Sequence, residues 1–309
     1  DINLPDKENC RIDIYNGMDN QAMFWQIPSI QAFHSIVPGS IMEFYPSVGI
    51  ARDVGSRPDE QVYGIRGLTS CKWLFDYPFD DKNFDDPING DAMPGFSYYA
   101  YQNGFKIYKN DYFIPYGFTY DSYITTSQFE SVSKKNRHLL LLKAIVLNDE
   151  QADRYSDILK NIKNPRELEY SKNEYFKDCK ARQNLACNHF SYDKNGFTAK
   201  IDLRGSKDNL VFFSVPYEKG WKASVNSEDV KIEKVNIGFM AVRVPGGQES
   251  TIKFTYMTPG LVLGLYITIL GWILFLVYII FLKFLQKNTH GKKIMYKPAD
   301  LQDINILFY

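Results

Sequence analysis

GLVLGLYITILGWILFLVYIIFL, residues 260–282, carries no charged side chain and is followed at once by Lys283. As a helix rising about 1.5 Å per residue it is roughly 33 Å long, enough to cross a hydrocarbon core of about 30 Å. No other stretch of the chain has this character. The reading is one C-terminal membrane span, with the bulk of the chain on one side and a short tail on the other. Lys283, Lys287, Lys292, Lys293 and Lys297 follow the span before the first acid, Asp300. Only Arg243 and Lys253 stand within a comparable distance before it. Excess lysine assigns the tail, residues 283–309, to the cytoplasm and the large N-terminal part to the outside. Gly260 and Gly264 fit the small-residue pattern of close helix pairs, with lipid-facing glycine as an equal alternative.

Upstream of the span, residues 190–257 hold short apolar or alternating runs at 198–203, 210–215, 221–226, 230–235, 239–244 and 251–256. Turn chemistry at 193–196, 226–229 and 245–247 separates them. Such close spacing predicts an antiparallel β-sandwich, its last strand leading almost directly into the span and so lying near the outer leaflet. Residues 127–189 read as a helical connecting region, with segments at 127–147, 149–162 and 167–186. Residues 1–126 read as a mixed α/β region. It has a helix and a turn over 19–33, broken by Pro28, and a second helix from Gly39. Residues 64–75 have strand-like content, and the acidic stretch 76–95 reads as an exposed loop. Strands at 105–108 and 112–115 would be joined by a turn at 109–111. The fold class is therefore α+β with one membrane helix.

Lysine plus arginine and aspartate plus glutamate number 36 each, so the chain as a whole gives no signal for nucleic acid or an acidic partner. With 22 Tyr and 22 Phe, several in polar loops, its surfaces suit sugars or lipid headgroups, although edge-strand packing accounts for most of them. The start, DINLPDKENC, has no initiator Met, basic n-region or apolar h-region. An external domain of this size must be exported, so the expectation is an upstream part carrying membrane helices. Cys10, Cys71, Cys179 and Cys187 show no zinc spacing. Cys179 and Cys187 would pair only if a helix ends between them.

Phe212-Phe-Ser-Val-Pro-Tyr-Glu-Lys-Gly-Trp221, Val235-Asn-Ile-Gly-Phe-Met240 and Tyr256-Met-Thr-Pro-Gly260 resemble the end of the YfhO-like bacterial membrane proteins. Ile30-Gln-Ala-Phe-His-Ser35, Met42-Glu-Phe-Tyr45 and Tyr63-Gly-Ile-Arg-Gly-Leu68 with Lys72 are similar to the same family. The resemblance implies a multi-spanning glycosyltransferase of the GT-C type in a bacterial cell membrane. Such an enzyme takes a sugar from an undecaprenyl-phosphate carrier and places it on a cell-envelope polymer such as lipoteichoic acid. It implies as partners the membrane, a lipid-linked sugar, the polymer and the missing N-terminal membrane helices. The family's catalytic acid lies in a first external loop without counterpart here, so no catalytic residue carries over. No cofactor is implied for this piece; a divalent metal would belong to the missing part. The turn at Asn226-Ser227 departs from the Asn-Gly of relatives, which weakens the tight-turn reading there.

A transfer reaction needs cations for the leaving phosphate and groups that hold the sugar. His34 and Ser35, followed by Glu43, Arg52, Asp53 and Arg57, form one candidate cluster, with a hydrogen-bonded surface loop as the plainer account. Arg66, between Gly64 and Gly67, reads as a structural ion pair or a phosphate contact. Tyr217 and Trp221 read as core or as stacking faces for a sugar. The acidic loop at 80–91 lacks EF-hand spacing, no Gly-rich phosphate loop occurs, and the four histidines are scattered. The alternatives to an enzyme's external part are a binding module for an envelope polymer or protein, and a scaffold built on the Gly-lined helix.

Overall fold

The computed structural model describes residues 2–15, 20–31, 37–51, 58–77 and 93–289, and it is an α+β protein. Strand β1 (Arg11–Tyr15) is followed by helices α1 (Gln21–Phe24), α2 (Gly39–Ser47) and α3 (Gly64–Leu68). Strands β2 (Cys71–Asp76), β3 (Phe96–Gln102) and β4 (Phe105–Asn110) complete a sheet of order β1-β2-β4-β3. Its inner strands are buried on both faces. Ile12, Trp73, Phe75 and Ile107 pack on one side and Leu74, Phe96 and Tyr108 on the other.

Two expectations for this region are corrected. Residues 64–68 are helical, and the strand begins only at Cys71. The cause is a tertiary contact: the Gly64 N–H donates to Nδ1 of buried His138 at 3.0 Å. A Cβ on Gly64 would stand 2.7 Å from both that nitrogen and the His138 carbonyl oxygen. The strand at 112–115 is absent, and β4 instead forms a hairpin with β3 through Asn103 and Gly104, both at positive φ. The chain leaves the sheet at Asn110, whose side chain donates to the Cys71 carbonyl and accepts from the Tyr112 N–H. Of the acidic loop, residues 78–92 lie outside the described residues, as does the tail from 290.

Next come β5 (Phe118–Thr119), β6 (Ser122–Thr125), α4 (Thr126–Ser131), α5 (Lys134–Lys143), β7 (Ile145–Leu147), α6 (Asp149–Tyr155), β8 (Lys160–Asn161) and α7 (Lys172–Gln183). The segment expected as one helix at 127–147 is two helices, α4 and α5, and two short strands, β7 and β8, interrupt the region and pair in parallel with β6. Capping boxes at Thr125/Gln128 and Asn148/Gln151 start α4 after β6 and α6 after β7. Leu139 to Leu142 are all buried because α5 contacts both α3 and α7.

The remaining strands are β9 (His189–Asp193), β10 (Gly196–Asp202), β11 (Asn209–Pro216), β12 (Trp221–Val225), β13 (Glu228–Val230), β14 (Ile232–Val235), β15 (Phe239–Val244) and β16 (Glu249–Tyr256). They form two antiparallel sheets, β13-β12-β16-β10-β9 and β14-β15-β11-β5. Phe197, Ile252 and Phe254 of the first face Val211, Phe213, Met240 and Val242 of the second. The run expected as one strand at 230–235 is split at Lys231, with β13 pairing in one sheet and β14 in the other. Strand β5 comes from outside residues 190–257, so the second sheet draws on the preceding region. Asn226 and Ser227, at φ 51 and 73, make a tight turn without glycine. All four cysteines are buried and free, including Cys179 and Cys187.

Helix α8 (Leu261–Thr289) belongs to a second compact unit beginning at Thr258. Among the described residues it is the one helix long and apolar enough to cross a membrane. Thr268 Oγ1 donates to the Gly264 carbonyl at 2.8 Å, which satisfies its hydroxyl within the helix.

Burial pushes the His138 imidazole down to about 4. Below its ordinary value of about 6.5 the unfolded chain binds a proton that the folded chain refuses, so stability falls as pH drops from 6.5 towards 4. The loss is at most about 3 kcal/mol. Urea unfolding across that range should show this slope in the parent and lack it in His138→Asn, which still offers an acceptor to Gly64.

Candidate functional site

The β9–β10 turn is built around Asp193, whose Oδ1 accepts from the N–H groups of Asn195 and Gly196 at 2.6 and 3.0 Å. A Cβ on Gly196 would stand 2.1 Å from the Phe254 carbonyl oxygen, so glycine lets the turn lie flush on β16. The Tyr256 N–H closes it by donating to the Asn195 carbonyl at 2.8 Å. Trp221, opening β12, pairs in register with Tyr256, their rings 5.0 Å apart. Phe197 stacks on Phe254 at 4.5 Å beneath them. The turn, Phe197, Trp221 and Tyr256 form one wall of a cleft of about 420 Å³.

The opposite wall comes from the N-terminal sheet and the segment before β5. Phe190 stacks on Tyr116 at 4.3 Å, and the Arg11 guanidinium lies 4.7 Å from the centre of the Tyr116 ring. Arg11 Nη1 donates to the Thr69 carbonyl at 2.7 Å and to Ser214 Oγ at 2.9 Å, while Nη2 donates to the Ser214 carbonyl at 2.9 Å. Ser214 sits at a bulge, where pairing of β11 with β15 is interrupted between Phe213 and Pro216. An interrupted ladder turns backbone groups outward, and here they meet Arg11. Burial pushes the Tyr116 phenol up to about 12, partly opposed by Arg11, so it keeps its proton at neutral pH.

Of the residues singled out from sequence, Trp221 lines this cleft. Tyr217 packs instead against the sandwich core, its N–H donating to the Gly238 carbonyl. Glu43 is exposed on α2 and accepts from Lys234 Nζ at 2.5 Å. Arg66 is fully buried, with Nε donating to Asp13 at 2.9 Å and its terminal nitrogens donating to the carbonyls of Asp59 and Pro58. His34, Ser35 and Arg52 lie outside the described residues. Sequence reasoning missed Arg11, Tyr116, Tyr192 and Tyr256; only the turn beside Tyr192 was a local signal. Among the described residues no group of three or more His, Cys, Asp or Glu is placed to hold a metal ion.

Residues 170–268 match the family described as "Bacterial membrane protein YfhO". That segment is YfhO-like. The "Uncharacterized protein YfhO" of Bacillus subtilis (strain 168) is 32% identical over 89 residues, which is 29% of this chain and 10% of that relative. No solved structure matches. Of the residues lining the cleft, all but Arg11, Pro28 and Tyr116 fall within the YfhO-like segment. The resembling strings at 30–35, 42–45 and 63–68 lie outside it.

Arg66 and Trp221 should separate on substitution. Arg66→Leu leaves Asp13 buried and unpaired and should cost about 3–5 kcal/mol of unfolding free energy. Trp221→Ala, at a half-exposed position, should cost about 1–2 kcal/mol. Chemical denaturation in detergent followed by circular dichroism measures both.

Proposed function

We propose that this chain is the external C-terminal part of a multi-spanning membrane glycosyltransferase. The parent moves a sugar from an undecaprenyl-phosphate carrier to a cell-envelope polymer such as lipoteichoic acid. This part positions the donor or acceptor sugar and anchors through its last helix. The observation that carries the reading is the YfhO match, which runs from α7 through the sandwich into the apolar helix. The aromatic cleft supports the positioning role, since flat rings complement the apolar faces of sugars. The aligned stretch is only 10% of the Bacillus relative, so catalysis is assigned to the parent and not to residues of this chain. A lone span does not build a carrier-lipid site.

The decisive experiment reconstitutes the full-length parent in vesicles with undecaprenyl-phosphate-linked sugars and lipoteichoic acid. Transfer of labelled sugar to the polymer is expected; a parent that transfers none of the sugars offered overturns the reading.

The orientation, bulk outside and tail in the cytoplasm, rests on the lysines that follow the span. Because the native cysteines are buried, background labelling should be low. A membrane-impermeant maleimide on intact cells should label Glu228→Cys and reach Lys297→Cys only after permeabilisation. The opposite pattern would invert the topology.

A further inference from the structure

We infer that the cleft between Arg11 and Trp221 is a binding site for an uncharged pyranosyl unit, stacked by its apolar face on Trp221. The inference rests on the reading that this part positions a sugar, and it names the class of sugar.

Size comes first: a cleft of about 420 Å³ falls within the range of about 300–1,000 Å³ typical of small-molecule sites. The exposure of the rings comes second. In the sandwich interior Phe197, Phe213 and Phe254 are covered almost completely. At the cleft the covering stops: Tyr192 is 51% exposed, Tyr256 is 38% exposed and Trp221 is half-buried. The rings are nonetheless held in place, Trp221 by contacts with Phe197 and Tyr256, and Tyr116 by Phe190 and Arg11. Pre-positioned aromatic faces lose little entropy when a flat ligand covers them.

The walls also discriminate among ligands. Among the described residues, Pro28 and Val215 are the only aliphatic side chains lining the cleft, so an acyl chain finds little matching surface there. Polar groups sit at the rim, where Asp193, Lys194 and Asn195 offer donors and acceptors beside the rings. Such a mixture suits a sugar, whose hydroxyls ring a small apolar face. Among the described residues Arg11 is the one cation in the wall facing Trp221, and both its terminal nitrogens already donate to Thr69 and Ser214. Lys194 at the rim is offset by neighbouring Asp193. Three of the five N–H groups of Arg11 are thus committed to the fold, and a neutral sugar is favoured over a phosphate or carboxylate.

The test uses the full chain in phosphocholine micelles, since sugar-headed detergents would compete. Saturation-transfer NMR is run with methyl glucoside and methyl N-acetylglucosaminide, against mannitol, glucose 6-phosphate and decanoate. Transfer to ring C–H protons of a neutral pyranoside is expected, with binding about 10-fold weaker in Trp221→Ala. Should Trp221→Ala lose its fold by circular dichroism, Tyr192→Ala replaces it. Tyr99→Ala, an exposed tyrosine on β3, should bind like the parent. No transfer to either pyranoside, equal transfer in the cleft variants, or preference for decanoate or the phosphorylated sugar would each overturn the site. Binding without sugar transfer by the full-length parent would overturn the enzyme reading and leave the site standing. Transfer by the parent without binding here would do the reverse.

Discussion

Strand β11 is buried on both faces, and the first 257 residues are organised around that constraint. Leu210 and Phe212 point into the core shared with α2, α5 and α7, while Val211 and Phe213 point into the sandwich. Each large apolar side chain so buried contributes about 1.5–3 kcal/mol. The sheet carrying β11 is thus a common wall between two cores. Its far edge is β5, from the preceding region, and Asn209 adds a side-chain bond to the Tyr120 carbonyl. The sandwich is therefore integrated into the region before it.

A second tie crosses the same wall at Asn236, fully buried in the β14–β15 turn. Its Oδ1 accepts from the Val146 N–H at 2.7 Å, and its Nδ2 donates to the Tyr120 hydroxyl at 3.2 Å. Asn236 and Ile237 both have positive φ, which is costly for a β-branched residue. The bonds of Asn236 and the packing of Ile237 against the main core offset that cost. Glu233 makes a third tie. Although burial opposes its charge, bonds from Gln151, Lys231 and Tyr155 hold its carboxyl below the ordinary range. Helix α6 is clamped to β14 through Gln151, Arg154 and Tyr155.

What the sequence showed and what it hid divide along the range of the interaction. The apolar run at 260–282 and the turn-separated strands are local patterns, so both were legible. The split at Lys231 was not, because a single residue changes sheets without breaking the apolar alternation. Strand β7 has only Ile145, Val146 and Leu147, too short a run for any period to stand out beside the leucines of α5. Residues 64–68 read as strand because their helical turn depends on His138, 74 residues away in the chain. Trp221 was visible as an aromatic at a strand start. Arg11 was not, since its role depends on the Ser214 carbonyl, 203 residues distant.

Arg11 shows why a cleft forms at that place. The bulge in β11 leaves the Ser214 carbonyl outside the ladder, where an unbonded group would cost about 1–3 kcal/mol if buried. A guanidinium satisfies it together with the Thr69 carbonyl, which draws the first strand of the N-terminal sheet against the sandwich. A lysine has a single point of donation and no flat face to lie on Tyr116, so it would not join both carbonyls in this way. The two walls are held apart by the planar ion and the rings stacked beside it. The gap between them exists because the β11 bulge, a departure from regular pairing, is bonded from across the cleft.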